Sequence, residues 1–389
     1  MRRRSKAKQD SQSFNRVFYI GVLLLSVVFL FVGNRIATSG VLPPSGIGTR
    51  VYSVVVTEMI DRVESELDMW GADRSITFRA RITSGTLRNV EVTAEQNLFA
   101  GQLYQEREVE IGDRVLLLYN EFSGLYFFRA YTRINYIILL GLAFLVLVVM
   151  FGKKKGLNSV IALGFTCVAI FSIFVPAILS GRNIYATTII VCVFAIVSTL
   201  LTVIGPHKKA VASMLGCLGG VLSAGILMLF MNRVLNLTGF VDHESQYLLM
   251  LRTETLIDLN AIIFAGVTLG AVGAIMDVSM SIASSLWEVR LVGGTSHFGR
   301  LFTAGINIGK DILGTMLNTL ILAYIGSSLS VILLLVAHTT SYVELFNREM
   351  VIVELLRALV GSFGMFLAIP LTSGICGWLY AKHLSPDYS

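Results

Sequence analysis

The chain has 389 residues, of which 54% are hydrophobic and only 14% charged, with a formal net charge of +6. A soluble domain of this length has no core large enough to hide so much apolar surface, so the chain belongs in a bilayer. The positive charge sits in short segments such as MRRRSKAK and GKKKG, which flank apolar runs and lack the interleaved aromatics of a nucleic-acid-binding face, so nucleic acid is excluded as a partner.

Residues 1–16 form a basic segment read as cytoplasmic, and residues 17–33 form the first apolar run. The small-residue cleavage pattern after it is poor, so the run is read as a retained transmembrane anchor. From residue 50 to 133 the texture changes. ITFRARIT alternates apolar and polar residues, and LRNVEVT, REVEI, RVLLLYN and LYFFRAY follow at short intervals with turn signals such as Gly112-Asp113. This pattern predicts a small β domain of about five strands, closed as a barrel, between the first two spans.

Residues 134–380 read as a multi-span helical bundle, with apolar runs at 134–151, 157–179, 184–204, 210–231, 256–276, 306–336 and 351–380. With the anchor these make about eight transmembrane helices, each near the roughly 20 residues that cross a bilayer core. The stretch from Leu301 to Ala337 is too long for one straight helix, and GSS at 326–328 is the expected break, giving a half-helix or an extra span. Pro176 and Pro370 are candidate kinks. Cys167, Cys192, Cys217 and Cys376 all fall inside apolar runs, where they act as small hydrophobes; neither a disulfide nor a metal site nor a cofactor is expected.

Positive residues set orientation. The N-terminus, Lys153 to Lys155, and Lys208 with Lys209 fall on one side when spans alternate, whereas the opposite loops carry isolated arginines such as Arg182 and Arg348. Both termini are therefore expected in the cytoplasm, with the β domain outside a plasma membrane. Asp242, His243 and Glu244 are read as a solvated outer loop, because consecutive residues converge poorly on a metal. His207 is read as an interfacial residue, and Asn236-Leu-Thr238 is a formal glycosylation sequon.

Two helical faces stand out. At 100° per residue, Asn307, Asp311, Gly314 and Asn318 share a narrow arc, with Thr303 and Thr315 at its edges. On the preceding span Gly266, Gly270, Gly273, Asp277, Ser281, Ser284 and Glu288 fall on one line, provided the helix continues beyond residue 277. Glycines at this spacing predict close packing against another helix. A helix over 256–289 would rise roughly 51 Å and must bend or exit the bilayer. Its distal part, with Ile282, Leu286 and Val289 opposite the serines, is expected to lie along the cytoplasmic interface, anchored by Trp287. Asp277 and Asp311 should then share a depth and face each other inside the bundle, with Lys310 paired to Asp277. Two readings of this cluster stay open: a salt bridge that pins two helices, and a proton, ion or polar-solute site.

The stretches GAIMDVSMSIASSLWEV and NIGKDILGTMLNTLILAY, behind one anchored β domain, resemble the YibE/F-like family of bacterial membrane proteins. The resemblance rests on Asp277 after a methionine, on Gly309, Lys310, Asp311, Gly314, Thr315 and Met316, and on Asn318, Thr319 and Tyr324. The basic position, often arginine in the family, is lysine here, which removes bidentate pairing. The resemblance implies an architecture and no biochemical activity.

A transporter or permease for a small solute or ion is the leading expectation, because multiple spans and an intramembrane acidic cluster suit alternating access. The alternative is a non-catalytic scaffold or sensor whose β domain binds an extracytoplasmic protein. An enzyme is not expected: HExxH, GxSxG and Walker patterns are missing, and Lys310 replaces the glycine that intramembrane aspartyl proteases place before an aspartate.

Overall fold

A computed structural model of the chain describes residues 2–39, 49–64, 74–85, 87–98, 107–241, 243–250, 257–293, 297–338 and 341–381. Asp242 and the side chains of His243 and Glu244 lie outside the described residues, as does the centre of the loop between the two polar helices. The elements in chain order are α1 (Arg2–Thr38), β1 (Thr49–Glu64), β2 (Arg74–Ile82), β3 (Glu91–Leu98), β4 (Arg114–Asn120), β5 (Leu125–Tyr131), α2 (Ile134–Ala169), α3 (Val175–Leu179), α4 (Ile184–Ile204), α5 (Lys208–Val234), α6 (His243–Met250), α7 (Leu259–Gly293), α8 (Phe298–Ser327), α9 (Leu329–His338), α10 (Tyr342–Asn347) and α11 (Glu349–Ala381). They fall into two compact units: Pro43–Leu147, and Met1–Leu42 with Val148–Ser389.

The first unit is the expected barrel, closed in the order β1-β2-β3-β5-β4. The 16-residue β1 pairs with both β2 and β4, with register shifts between Val56 and Glu58 and between Met59 and Asp61. Such irregularities bend a strand enough to serve two sheet edges. Closure is made by β3 and β5, which run parallel through Ala94 with Tyr126 and Glu95 with Phe127. Alternation in RSITFRARI sends Ile76, Phe78, Ala80 and Ile82 inward, against Val54, Val56, Val115 and Leu117. One polar side chain joins this core: Gln96 is fully buried, donates to the Arg107 carbonyl at 3.0 Å and accepts from the Val109 amide at 3.0 Å. The pairing satisfies both ends of its amide and pins the 107–109 segment.

In the second unit, α11 is the central helix, packed by α5, α7 and α8. Its contact with α5 is built from small residues in antiparallel register: Gly216 lies against Thr372, Gly220 against Ala368 and Gly364, and Ala224 against Gly364. A Cβ added at Gly220 would sit 2.9 Å from the Gly364 carbonyl oxygen, so the two backbones nearly touch. Ile275 of α7 fills the remaining side of this crossing.

Seven helices among the described residues are long and apolar enough to cross a membrane, where the sequence predicts eight spans. The runs at 134–151 and 157–179 lie in one 46-residue helical stretch, Ile134–Leu179. That stretch is not straight. Lys153 has φ 49° and ψ −126°, and Gly156 backs onto the carbonyl of Val148, eight residues earlier, so the chain folds back sharply at the lysines. Further on, a wide helical turn at Ile170–Phe174 precedes Pro176; widening the turn accommodates the proline's missing N–H donor. The predicted break at GSS is present. α8 ends with Ser328 as its C-cap, and α9 continues for 10 residues, about 15 Å and half a bilayer crossing.

The apolar face of the distal part of α7, expected to lie along the membrane surface, is largely turned into the bundle instead. Ile282 and Leu286 are fully buried, with only Val289 exposed, and Trp287 meets the Tyr380 ring edge-on at 5.2 Å. The Tyr380 hydroxyl donates to the Ala283 carbonyl at 3.1 Å. α11 therefore clasps this half of α7, and burial of its apolar face holds the two helices together.

Candidate functional site

The residues singled out on α7 and α8 occupy one antiparallel pair of helices. Two contacts fix the register: Leu286 approaches the Cβ position of Gly305 within 3.0 Å, and the Tyr324 hydroxyl approaches that of Gly270 at the same distance. Interpolating between them sets Asp277 level with Thr315 and Ser281 level with Asp311. The two carboxylates thus differ in height by about one helical turn, roughly 6 Å.

They do not, however, face each other across a closed interior. α8 turns Leu301, Gly305 and Gly309 into the bundle, where Gly305 meets Ser373 and Gly309 meets Ile369 of α11. Its opposite side carries Thr303, Asn307, Lys310, Asp311, Gly314, Thr315 and Asn318, all exposed on the isolated chain. Asp277 is exposed as well, while Ser281 and Ser284 are half-buried. Among the described residues Asp277, Lys310 and Asp311 make no hydrogen bond or ion pair, so the expected Lys310–Asp277 bridge is absent. The reason is geometric: α8's buried glycine edge, not its polar edge, is turned to its neighbours.

The glycine expectation is corrected in the same way. A Cβ at Gly266, Gly273 or Gly314 would meet nothing within 4 Å, and one at Gly270 would meet only the Tyr324 hydroxyl. The glycines that bring helices together are Gly216, Gly220, Gly305, Gly309 and Gly364. Their four-residue spacings, Gly216 to Gly220 and Gly305 to Gly309, were the available signal.

One polar group escaped the sequence reading. Glu354 and Arg357 lie within the apolar run of α11, three residues apart, and Arg357 Nη1 donates to Glu354 Oε1 at 2.5 Å. Glu354 Oε2 and Arg357 Nε are buried without a hydrogen-bond partner, a configuration that costs free energy unless a further ligand or water meets it. The α8–α11 register, set by Gly309 with Ile369 and by Leu320 with Gly361, brings Tyr324 level with Arg357. The spacing Glu-x-x-Arg in VIVELLRALVG is legible, but an ion pair inside a long hydrophobic run is easily averaged away.

Taken in order, Asp311, Asp277, Gly273 and Gly270 with Tyr324 mark a polar, small-residue track over the exposed surface of the α7–α8 pair, with Arg357 and Glu354 of α11 beyond it. From Asp311 to Tyr324 it rises about 20 Å, two thirds of a bilayer core. Chemically it offers two free carboxylates, one free ammonium, amides, hydroxyls and a half-satisfied ion pair, a set suited to passing protons, ions or small polar solutes. Among the described residues there is no cluster of three or more His, Cys, Asp or Glu arranged to hold a metal.

No curated protein and no solved structure shows significant similarity to the chain. Against protein families the chain matches the YibE/F-like protein family over residues 140–382, all of the candidate track included. On that match, which spans more than half its length, the chain belongs to the YibE/F-like family.

Proposed function

We propose that this chain is a multi-pass permease of the plasma membrane that carries a small polar solute or an ion along the α7–α8 track. The observation that carries the reading is the succession of polar and glycine positions from Asp311 past Asp277, Gly273 and Gly270 to the Arg357–Glu354 pair. A bare charge at the centre of a bilayer costs roughly 2.5–3.5 kcal/mol on insertion scales, so a face holding Asp277, Lys310 and Asp311 has to be wetted or covered rather than exposed to lipid. In this reading the sharp reversal at Lys153 turns the 46-residue stretch Ile134–Leu179 into two crossings and makes the total eight. The lysines at that reversal and at the start of α5 lie in the cytoplasm with both termini, and the barrel is extracytoplasmic. Asp311 and Asp277 then form the cytoplasmic half of the route.

The test begins with comparative metabolite and ion profiling of cells lacking and overproducing the protein. Purified protein in proteoliposomes is then assayed with protons, sodium, potassium, inorganic phosphate and amino acids, together with whatever profiling reveals. Asp277→Asn and Asp311→Asn each abolish flux while leaving expression and thermal stability unchanged. If every probe is impermeant and the same variants fail to assemble, the chain is a scaffold or sensor. Phe122, 83% exposed at the β4–β5 turn, favours a barrel that receives a protein partner in that case.

A further inference from the structure

A second feature lies away from the α7–α8 track. A cavity of about 620 Å³ opens between α1, α2 and α4. Its walls are amphipathic. Phe18, Ile161, Leu201 and Ile204 give it an apolar body, while Lys154 and His207 stand at one end. A hydrogen-bonded rail crosses it: the Tyr19 hydroxyl donates to Asn158 Oδ1 at 2.9 Å, and Asn158 Nδ2 donates to the Thr202 carbonyl at 2.9 Å. The rail occupies the side chains of Tyr19 and Asn158, while the buried Thr202 hydroxyl oxygen in the same wall has no hydrogen-bond partner.

Among the described residues these cations have no carboxylate in ion-pair contact. Lys153, Lys154, Lys155, Lys208 and Lys209 flank this end, yet the sequence carries no Asp or Glu anywhere from Ile134 to Val241, nor from Val17 to Ser39. Among the described residues none of the five lysines forms an ion pair. The 27-residue α5 also begins here, after His207, with no side chain capping its first turn. Uncapped amides and uncompensated ammonium groups at the mouth of an apolar slot call for an anion attached to hydrocarbon.

We propose that this cavity binds one anionic phospholipid, with its acyl chains along Phe18, Ile161 and Leu201 and its phosphodiester between Lys154 and the first turn of α5. The charge explains the headgroup and the apolar body explains why the ligand is a lipid rather than a soluble anion. The site is distinct from the transport track, and its occupancy does not depend on whether the protein transports anything.

The experiment uses the full chain, purified in detergent, exposed to a mixture of phosphatidylglycerol and phosphatidylcholine of matched acyl chains and examined by native mass spectrometry. Phosphatidylglycerol is retained preferentially. Lys154→Gln lowers its retention about fivefold, the scale expected for one cation at an anionic lipid surface, whereas Lys154→Arg retains it and serves as the folded control. A bulky apolar block, Asn158→Leu, expels both lipids. Equal retention of the two lipids, or retention unchanged by Lys154→Gln, overturns the proposal. So does displacement of phosphatidylglycerol by millimolar inorganic phosphate without competition from added anionic lipid, which reassigns the site to a soluble anion.

Discussion

Gly220 of α5 and Gly364 of α11 meet backbone to backbone: a Cβ on Gly220 would lie 2.9 Å from the Gly364 carbonyl oxygen and 2.8 Å from both Ala368 and Ile275. Three neighbours would have to move for one methyl group, two of them held by the same crossing. Gly220→Ala is therefore expected to destabilise the bundle by about 1–3 kcal/mol, the usual range for overpacking, read as a lower midpoint in detergent unfolding. Gly220→Leu should prevent assembly of the helical unit.

The opposite outcome is expected on the track. Gly273 has nothing within 4 Å of its Cβ position, so Gly273→Ala should leave the unfolding midpoint within about 0.5 kcal/mol of the parent protein. A larger loss would mean that another helix covers this face in the membrane.

Glu349, at the start of α11, holds the turn after α5. Its carboxylate accepts from the Thr238 amide at 2.8 Å, the Thr238 hydroxyl at 2.7 Å and the Gly239 amide at 2.6 Å. Gly239 has φ +89° and packs its Cα against Leu259, so the turn has little room to relax. Glu349→Ala should cost about 1.5–3 kcal/mol, the range for hydrogen bonds to a charged group, and Glu349→Gln less. Thr238, the third residue of the sequon, has a structural task here; limited proteolysis at this turn should accelerate in both variants.

Arg357 and Glu354 should be strongly non-additive. Arg357→Gln alone strands a half-buried carboxylate, whereas Glu354→Gln with Arg357→Gln removes both charges. The double variant should be more stable than the single one, with a coupling of about 0.5–3 kcal/mol in a double-mutant cycle. Additive single effects would mean that solvent already screens the pair.

The barrel carries an alkaline signature. Burial, and then the neighbouring Tyr52 and Tyr119, push the Tyr126 phenol above its ordinary value. The unfolded chain therefore loses its phenolic proton first, so this contribution to stability is intact below about pH 10 and declines as the pH climbs through the folded value. Tyrosinate absorbance of the whole protein should show a late-titrating component, and Tyr126→Phe should diminish it along with part of the alkaline loss of stability.

Much of the fold was legible in the residues. ITFRARIT and RVLLLYN alternate as barrel strands must, the helices follow unbroken apolar runs, and GSS at 326–328 marks a real helix end. The candidate site was only half legible. Periodicity gives the angular position of Asp277, Asp311 and the glycines on their own helices. It says nothing about which side of each helix the neighbours occupy. On α8 two stripes of small or polar residues compete, Gly305 with Gly309 and Asn307 with Asp311, and the choice rests on complementarity with Ser373 and Ile369, sixty or more residues away. Arg357 and Glu354 were hidden for a related reason: mutual neutralisation lets them sit in a run whose mean hydropathy stays high.

The barrel also has a weak seam. β3 and β5 are joined along only two residue pairs, Ala94 with Tyr126 and Glu95 with Phe127, whereas β1 runs beside β2 for most of its length. A ring stitched so unevenly breathes at its thinnest join, because few hydrogen bonds have to part there for it to open. The amides along that line should exchange with heavy water ahead of those between β1 and β2. The domain then behaves less as a rigid cylinder than as a clasp, hinged on its long bent strand and fastened at one narrow catch.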